Sequence, residues 1–464
     1  MDKRLSVDEL LSELRCVYRD HYNRNMPKTL SSAIKKMIVL AKKSEEAALQ
    51  LEKFAKVKKE ERKVQIVSAV VPAGILPDGY SAVLEDIKIH SRGPDDKIYS
   101  KNPDIRKWIP RGTTIMHLNG NVSLHDVVIY ANKKFIGGVG DEDEYQPEDS
   151  DTWREYCLGN PDNARNVVCM NKLNGEAAHF SGRYIDDEFY LFTGSKNVHM
   201  LIKEAKDIDQ YYGDRYGVAK IVARSVCETL DALEDKKRHL LFTLLHYTKC
   251  TVFCEVLQPL HQHIVNISHL DQPQISVISF TSTATTGTET SLTAIPPHLA
   301  LDLSVSLGLS STTYSVISPQ EVFERRNMIR GSINNEGEVF YFLNENDETI
   351  GLAKVKSTWY ILLRALREKA VYCFTAAMKK GGWTLEQHIN STNKRFLEIQ
   401  RWLKLSDECL QKWKKLAQRF LRWLDAEIRL NHVQSSNIRP KFPILWEQFL
   451  ENNELTDKIE TGYC

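Results

Sequence analysis

The stretch EVFYFLNENDETIGLAKVK, residues 338–356, sets two runs rich in apolar, β-branched and aromatic residues around a polar NENDE centre. Such residues suit a pleated, half-buried surface, and a polar break between two runs reads as an antiparallel hairpin. Lys354 and Lys356 stand two apart in the second run, so both side chains leave one face of the strand. Two ammonium groups placed that way can grip a phosphate.

Outward from this hairpin the same texture extends back to Val64. Short runs rich in Val, Ile and Tyr alternate with turns such as LPDGY and NGN and continue through EFYLFTGS, TVFCEVL and ISVISF. Before Val64 the pattern is helical: Ser6 with Glu9 forms a capping box, apolar residues recur at helical spacing through ELLSELRCVY and AIKKMIVLAKK, and KKEERK closes the segment. After Tyr360 it is helical again. The expected fold is α+β: a body of antiparallel sheets with helices over residues 63–360, a helical N-terminal segment over 1–62, and an all-α C-terminal domain over 361–464. The acidic run GDEDEYQPEDSD and the Ser/Thr-rich TSTATTGTETS read as exposed loops.

The whole chain of 464 residues is nearly neutral, with 62 Lys/Arg against 61 Asp/Glu, so total charge points to no nucleic-acid partner. Local charge does. Residues 361–441 hold 17 Lys/Arg against 7 Asp/Glu, a net of +10, interleaved with Trp383, Trp402, Trp413 and Trp423. Positive charge concentrated in one helical unit attracts a phosphate backbone, and Lys412, Lys414 and Lys415 around Trp413 are the candidate contacts. Most of the tryptophans are expected in the core. The nine cysteines, odd in number and scattered, indicate reduced thiols. No apolar run reaches the roughly 20 residues of a membrane span, and the charged start MDKRLSVDELLSELR is unlike a secretory signal. A cytoplasmic or nuclear protein without membrane partners, and a monomer, is expected.

Lys172 lies in CMNKLNGEAAHFSGR, residues 169–183, flanked by apolar residues and followed by Gly175. A lysine bonds to phosphorus only as the free amine, which requires burial or nearby cations to lower its pKa. A glycine three residues on suits close approach of a phosphate to the backbone. Glu255 sits among apolar strand residues and Glu336 precedes Gly337. Carboxylates in such places are paired or used, for a ribose hydroxyl or for a hard cation such as Mg²⁺. Cys250, Cys254, His261 and His263 have a spacing that could suit zinc, but at strand spacing the two cysteines share a face and read more simply as core.

These motifs, in this order, resemble the covalent nucleotidyltransferase superfamily, and within it the ATP-dependent RNA ligases of the phage and tRNA-splicing type. The resemblance implies a nucleotidyltransferase (ATP-grasp-like ligase) domain and spans about residues 87–360. KLNGEA is similar to the family's first motif and assigns Lys172 as the adenylylated lysine, with Gly175 beside the nucleotide. FTGSKN assigns Ser195 and Lys196 to nucleotide or RNA phosphates. TVFCEV, followed by QHIVNI, assigns Glu255 to the ribose; EGEVFYF assigns Glu336 to metal or nucleotide; LAKVKSTWY assigns Lys354 and Lys356 to the α-phosphate. IHSRGP places Arg92 on the triphosphate. The resemblance further implies ATP and Mg²⁺ as cofactors and RNA with 5′-phosphate and 3′-hydroxyl ends as substrate in tRNA splicing or RNA repair; the chain has no Walker-type phosphate loop for a kinase, which leaves room for separate end-healing enzymes. Asn174 stands where many relatives carry aspartate. The competing assignments are an mRNA-capping guanylyltransferase or a DNA ligase, in which a small β-barrel follows the fifth motif, and a non-catalytic RNA-binding protein on a ligase fold.

Overall fold

The computed structural model describes residues 5–91, 93, 95–137, 151–283, 289–376 and 383–455. Helices α1 (Val7–Tyr22), α2 (Lys28–Ala41) and α3 (Ser44–Glu60) precede strands β1 (Val64–Val70) and β2 (Ser81–Ile89). Short helices α4 (Asp96–Lys101) and α5 (Pro103–Trp108) lead to β3 (Thr113–Asn119) and β4 (Leu124–Tyr130). Then come β5 (Asn166–Asn171), β6 (Glu176–Ile185), β7 (Glu188–Ser195) and β8 (Val198–Ile202), followed by α6 (Gly217–Asp231) and α7 (Asp235–Thr248). Strands β9 (Thr251–Leu257) and β10 (Gln274–Thr281) precede α8 (Pro297–Ser306), β11 (Tyr314–Ile317) and α9 (Val322–Arg330). The hairpin β12 (Gly337–Leu343) and β13 (Thr349–Lys356) is followed by α10 (Thr358–Val371), α11 (Leu385–Leu403), α12 (Asp407–Arg429) and α13 (Phe442–Asn452).

The strands form three antiparallel sheets, ordered β1-β2-β3-β4, β10-β9-β6-β7-β8 and β11-β5-β12-β13. The NENDE hairpin forms as its sequence implies. Gly337 pairs with Lys356 and Leu343 with Thr349. The turn is closed by the Asn344 side chain, whose Oδ1 accepts from the Asn346 and Glu348 N–H groups, while Asp347 takes a positive φ of 59°.

The N-terminal helices belong to the main body. Leu10, Leu14, Tyr18, Leu30 and Ile34 share one buried cluster with Phe180, Phe192 and Val252, and the Ser6–Glu9 capping box starts α1. Helix α3 covers the first sheet, its Ala48, Leu51 and Ala55 packing with Ile87, Ile115 and Val127. Helices α10 to α13 surround a core of their own, with Leu363, Phe396, Trp413, Phe420 and Trp446, and Ile264 of the body joins it. This helical unit starts two residues after Lys356, where Ser357 caps α10 by accepting the Tyr360 N–H at 3.1 Å.

Of the tryptophans, Trp413 is buried, Trp402 and Trp423 are partly buried, and Trp383 is 53% exposed. The eight described cysteines are free thiols, and the buried Cys250 and Cys254 are core residues. His263 turns away from them to Glu176, at 3.2 Å. Among the described residues no helix is long and apolar enough to cross a membrane. The acidic stretch 140–150 and residues 284–288 of the Ser/Thr-rich loop lie outside the described residues.

Candidate active site

Lys172 follows the last residue of β5, where its N–H donates to the Gly337 carbonyl at 2.8 Å and carries the β5–β12 pairing one step further. That register brings its side chain to Glu336, just ahead of β12. Lys172 Nζ lies 2.8 Å from Glu336 Oε1, and Lys356 Nζ, from β13, lies 3.4 Å from the same oxygen. Glu336 and Lys356 are each only 4% exposed. Burial alone would raise the Glu336 pKa, but Lys172 and Lys356 outweigh it and bring the carboxyl down to about 2. Lys356 also stands over the Tyr360 ring, 5.1 Å from its centre.

Asn174 ties this pair to its surroundings. Its Nδ2 donates to Glu336 Oε2 at 2.8 Å and to the Tyr360 hydroxyl at 3.2 Å, while its Oδ1 accepts from the Ile264 and Val265 N–H groups at 2.9 and 3.1 Å. An aspartate there would place a carboxylate against Glu336, so the amide matches its partners. Gly175 starts the crossing into β6, and its N–H donates to Glu255 Oε1 at 3.0 Å. A Cβ on Gly175 would sit 2.2 Å from the Val256 carbonyl oxygen, so the glycine is required by strand β9. This packing gives the glycine a structural reason beside the close phosphate approach expected from the sequence.

The protonation pattern also differs from expectation. Burial disfavours the Lys172 ammonium, but Glu336 and Glu255 outweigh it and hold the amine above its usual 10.5. The depressed lysine is Lys354, which burial together with Lys134, Lys356 and Arg111 pushes well below 10.5. Glu255 moves the other way. Burial and the nearby Glu336 raise it to about 7, against the opposing pull of Lys172, the Gly175 N–H and His263.

Lys354 links this cluster to a second one. The Arg111 guanidinium grips Asp95 through two bonds, Nε–Oδ2 at 3.0 Å and Nη2–Oδ1 at 2.5 Å, and Lys196 Nζ reaches Asp95 Oδ2 at 2.8 Å. The buried Lys134 pairs with Asp96. Asp95, Arg111 and Lys196 edge a cleft of ≈ 430 Å³ that Lys88, His90, Ser91 and Asn197 also line. Ser195 ends β7 beside Lys196, partly buried and paired with Ala178. Arg92 lies outside the described residues.

Over residues 78–367 the chain matches the family described as "Domain of unknown function (DUF7920)". The chain belongs to that family. A search of curated proteins gives no match. Among solved structures, an archaeal ATP-dependent RNA ligase (form 1) is similar at 13% identity and a TM-score of 0.42, over 79% of this chain and 76% of that one.

The family match covers every residue of both clusters. The structure brings Lys172, Asn174, Gly175, Glu255, Glu336 and Lys356 together from four separated segments, with Lys354 and Lys196 reaching toward the second cluster. Lys412, Lys414 and Lys415 stand on α12. Lys412 and Lys415 are exposed, Lys414 is partly buried, and Lys412 pairs with Glu408 one turn away at 3.0 Å. Tyr360, the Ile264 and Val265 N–H groups, Asp95, Arg111 and Lys134 carried no site assignment from the sequence. Tyr360 lies inside LAKVKSTWY, and Ile264 and Val265 lie inside QHIVNI; Asp95, Arg111 and Lys134 lie outside those motifs.

Proposed function

We propose that this chain is an ATP-dependent RNA ligase that works through a lysyl-AMP intermediate on Lys172. The observation that carries the reading is the shared contact of Lys172 and Lys356 with the buried Glu336. One hairpin supplies the carboxylate and the second cation, and a strand more than 160 residues earlier in sequence brings the candidate nucleophile to the same point. A chain that had lost the chemistry has no need of buried charges in this arrangement, which cost desolvation energy.

Chemistry begins with the Lys172 amine. In the free protein Glu336 and Glu255 favour its ammonium form. The triphosphate of ATP competes with Glu336 for the same lysines, and once Lys172 loses that bond the neighbouring Lys356 cation favours release of its proton. The free amine attacks the α-phosphorus, an N–P bond forms, and the bond to pyrophosphate breaks. Lys354 and Lys356 stabilise negative charge gathering on the α-phosphate oxygens, and Arg111 and Lys196 are placed along the second cluster for the leaving phosphates. An oxygen of an RNA 5′-phosphate then attacks the adenylyl phosphorus, the N–P bond breaks, and a proton returns to Lys172. In the last step a 3′-hydroxyl attacks the activated 5′-phosphorus and AMP leaves with the bonding electrons.

The residues present fit a divalent cation. Glu336 stands close enough to Glu255 to help burial raise it to about 7, and such neighbouring carboxylates suit a hard ion with oxygen ligands. Glu336 and Glu255 would hold Mg²⁺, which supplies charge neutralisation on the phosphates. Helix α10 begins directly after Lys356, which favours the RNA-ligase reading over the capping and DNA-ligase readings that carry a barrel there. Lys412, Lys414 and Lys415 present the RNA-binding charge of the C-terminal helical unit, residues 361–464.

The test is sealing of an RNA carrying a 5′-phosphate and a 3′-hydroxyl. Wild type should join the ends with ATP and accumulate 5′-adenylylated RNA when the 3′-hydroxyl is blocked. Lys172→Ala should form no adenylylated RNA from ATP, yet should seal pre-adenylylated RNA supplied to it. Absence of both products from folded wild type would remove the proposal.

A further inference from the structure

Away from this site, on the face of the first sheet covered by α3, two glutamates and two histidines converge. Glu52 comes from α3, Glu85 from β2, His117 from β3 and His125 from β4. His117 and His125 are direct cross-strand partners with stacked rings, 4.6 Å between centres. Glu85 is two residues from Val83, the partner of His117, so it lies diagonally across from His117 on the same face. One ligand atom each from Glu52, Glu85 and His117 lie within 4.8 Å of one another.

The pair distances are informative. His117 Nε2 is 3.5 Å from Glu85 Oε2, and His125 Nε2 is 3.4 Å from Glu52 Oε2. These are long for hydrogen bonds, and Glu85 Oε2 and His125 Nε2 are buried without a hydrogen-bond partner. These two pairs stand close to the roughly 3.3 Å edge of a tetrahedron whose donors lie about 2.0 Å from a central ion, while His125 stands outside the mutually close group of Glu52, Glu85 and His117 and reaches it through Glu52. Each carboxylate is held by its other oxygen: Ser68 Oγ donates to Glu85 Oε1 at 3.0 Å, and Lys56 pairs with Glu52 Oε1. Both free oxygens are thereby aimed at the imidazoles, as outer partners orient metal ligands.

We propose that Glu52, Glu85, His117 and His125 form a binding site for a divalent transition metal of the zinc class, which ties α3 to the first sheet. Two imidazole nitrogens and two carboxylate oxygens suit Zn²⁺ better than Mg²⁺, which prefers oxygen ligands alone. The four ligands would close the coordination shell, so the site is structural, independent of the ligase reading.

The experiment uses the full chain without a histidine tag, stripped with chelator and titrated with Co²⁺ and then Zn²⁺. One equivalent of Co²⁺ should bind with the intense visible absorption of tetrahedral coordination, and Zn²⁺ should displace it. His117→Gln and Glu85→Gln, each checked for folding by circular dichroism, should weaken binding at least tenfold, and Ser68→Ala should weaken it less. Zn²⁺ should raise the melting temperature of wild type and not of His117→Gln. Failure of wild type to take up Co²⁺ in tetrahedral form, or equal affinity in wild type and both folded ligand variants, would overturn the proposal.

Discussion

Glu255→Gln should stabilise the free protein at neutral pH while abolishing adenylylation. The Glu255 carboxyl is moved from the usual 4.5 to about 7, chiefly by burial and then by Glu336. Between those values the folded state binds more protons than the unfolded state, so stability falls as pH rises. At about 1.4 kcal/mol per pH unit the full interval amounts to about 3 kcal/mol, and solvent reaching the partly buried carboxylate reduces this to about 2 kcal/mol. Glutamine copies the protonated shape and can still accept the Gly175 N–H through its carbonyl oxygen. The difference between variant and wild type in urea unfolding should therefore be small below pH 4.5 and grow to about 2 kcal/mol in favour of the variant by pH 8. A difference that is independent of pH, or that favours wild type more as pH rises, would refute the assignment of Glu255 as a strained, functional carboxylate.

Lys356→Ala should lose adduct formation and also destabilise the fold by about 2 kcal/mol in urea melts, because Glu336 keeps Lys172 but loses a buried partner. The rate of adduct formation at ATP well below saturation should rise about tenfold per pH unit between about pH 6.5 and 8.5, since Glu336 and Glu255 hold Lys172 of the free protein above its usual 10.5; a flat profile in single-turnover labelling would contradict the need to deprotonate it. Replacing Lys412, Lys414 and Lys415 together by glutamate should weaken RNA binding and reduce the slope of log affinity against log salt by about 2, at about 0.7 per neutralised single-strand phosphate. An unchanged slope in filter-binding titrations would show that this face of α12 is only a solvated surface.

The hairpin at residues 338–356 was legible because its strands and turn lie within one short stretch, and local pattern governs such a unit. Lys172, Glu255, Glu336 and Lys356 were legible by type and order, Glu255 and Lys356 as charged residues inside strand runs and Lys172 and Glu336 as charged residues at strand ends. Their contacts were not, because they depend on β5 pairing with β12 across more than 160 residues. The capping box at Ser6 was visible, but the packing of α1 and α2 into the main core was not, as an amphipathic face does not name the surface it covers. Tyr360 and the Ile264 and Val265 N–H groups escaped notice for a related reason: hydrogen bonds to Asn174 exist only once the helical unit docks on the body. The direction of the Lys172 pKa was misjudged because the apolar neighbours in sequence suggested desolvation. The decisive neighbours, Glu336 and Glu255, arrive through the fold.

The most direct test of a lysyl-AMP intermediate is incubation of the full chain with ATP labelled at the α-phosphate and Mg²⁺, followed by a denaturing gel and peptide mapping. Label should remain with the wild-type chain, map to Lys172, be absent from Lys172→Ala, and be released by pyrophosphate. Label that persists in Lys172→Ala, that maps to Lys354 with its depressed pKa, or that appears with GTP and not with ATP would contradict the assignment.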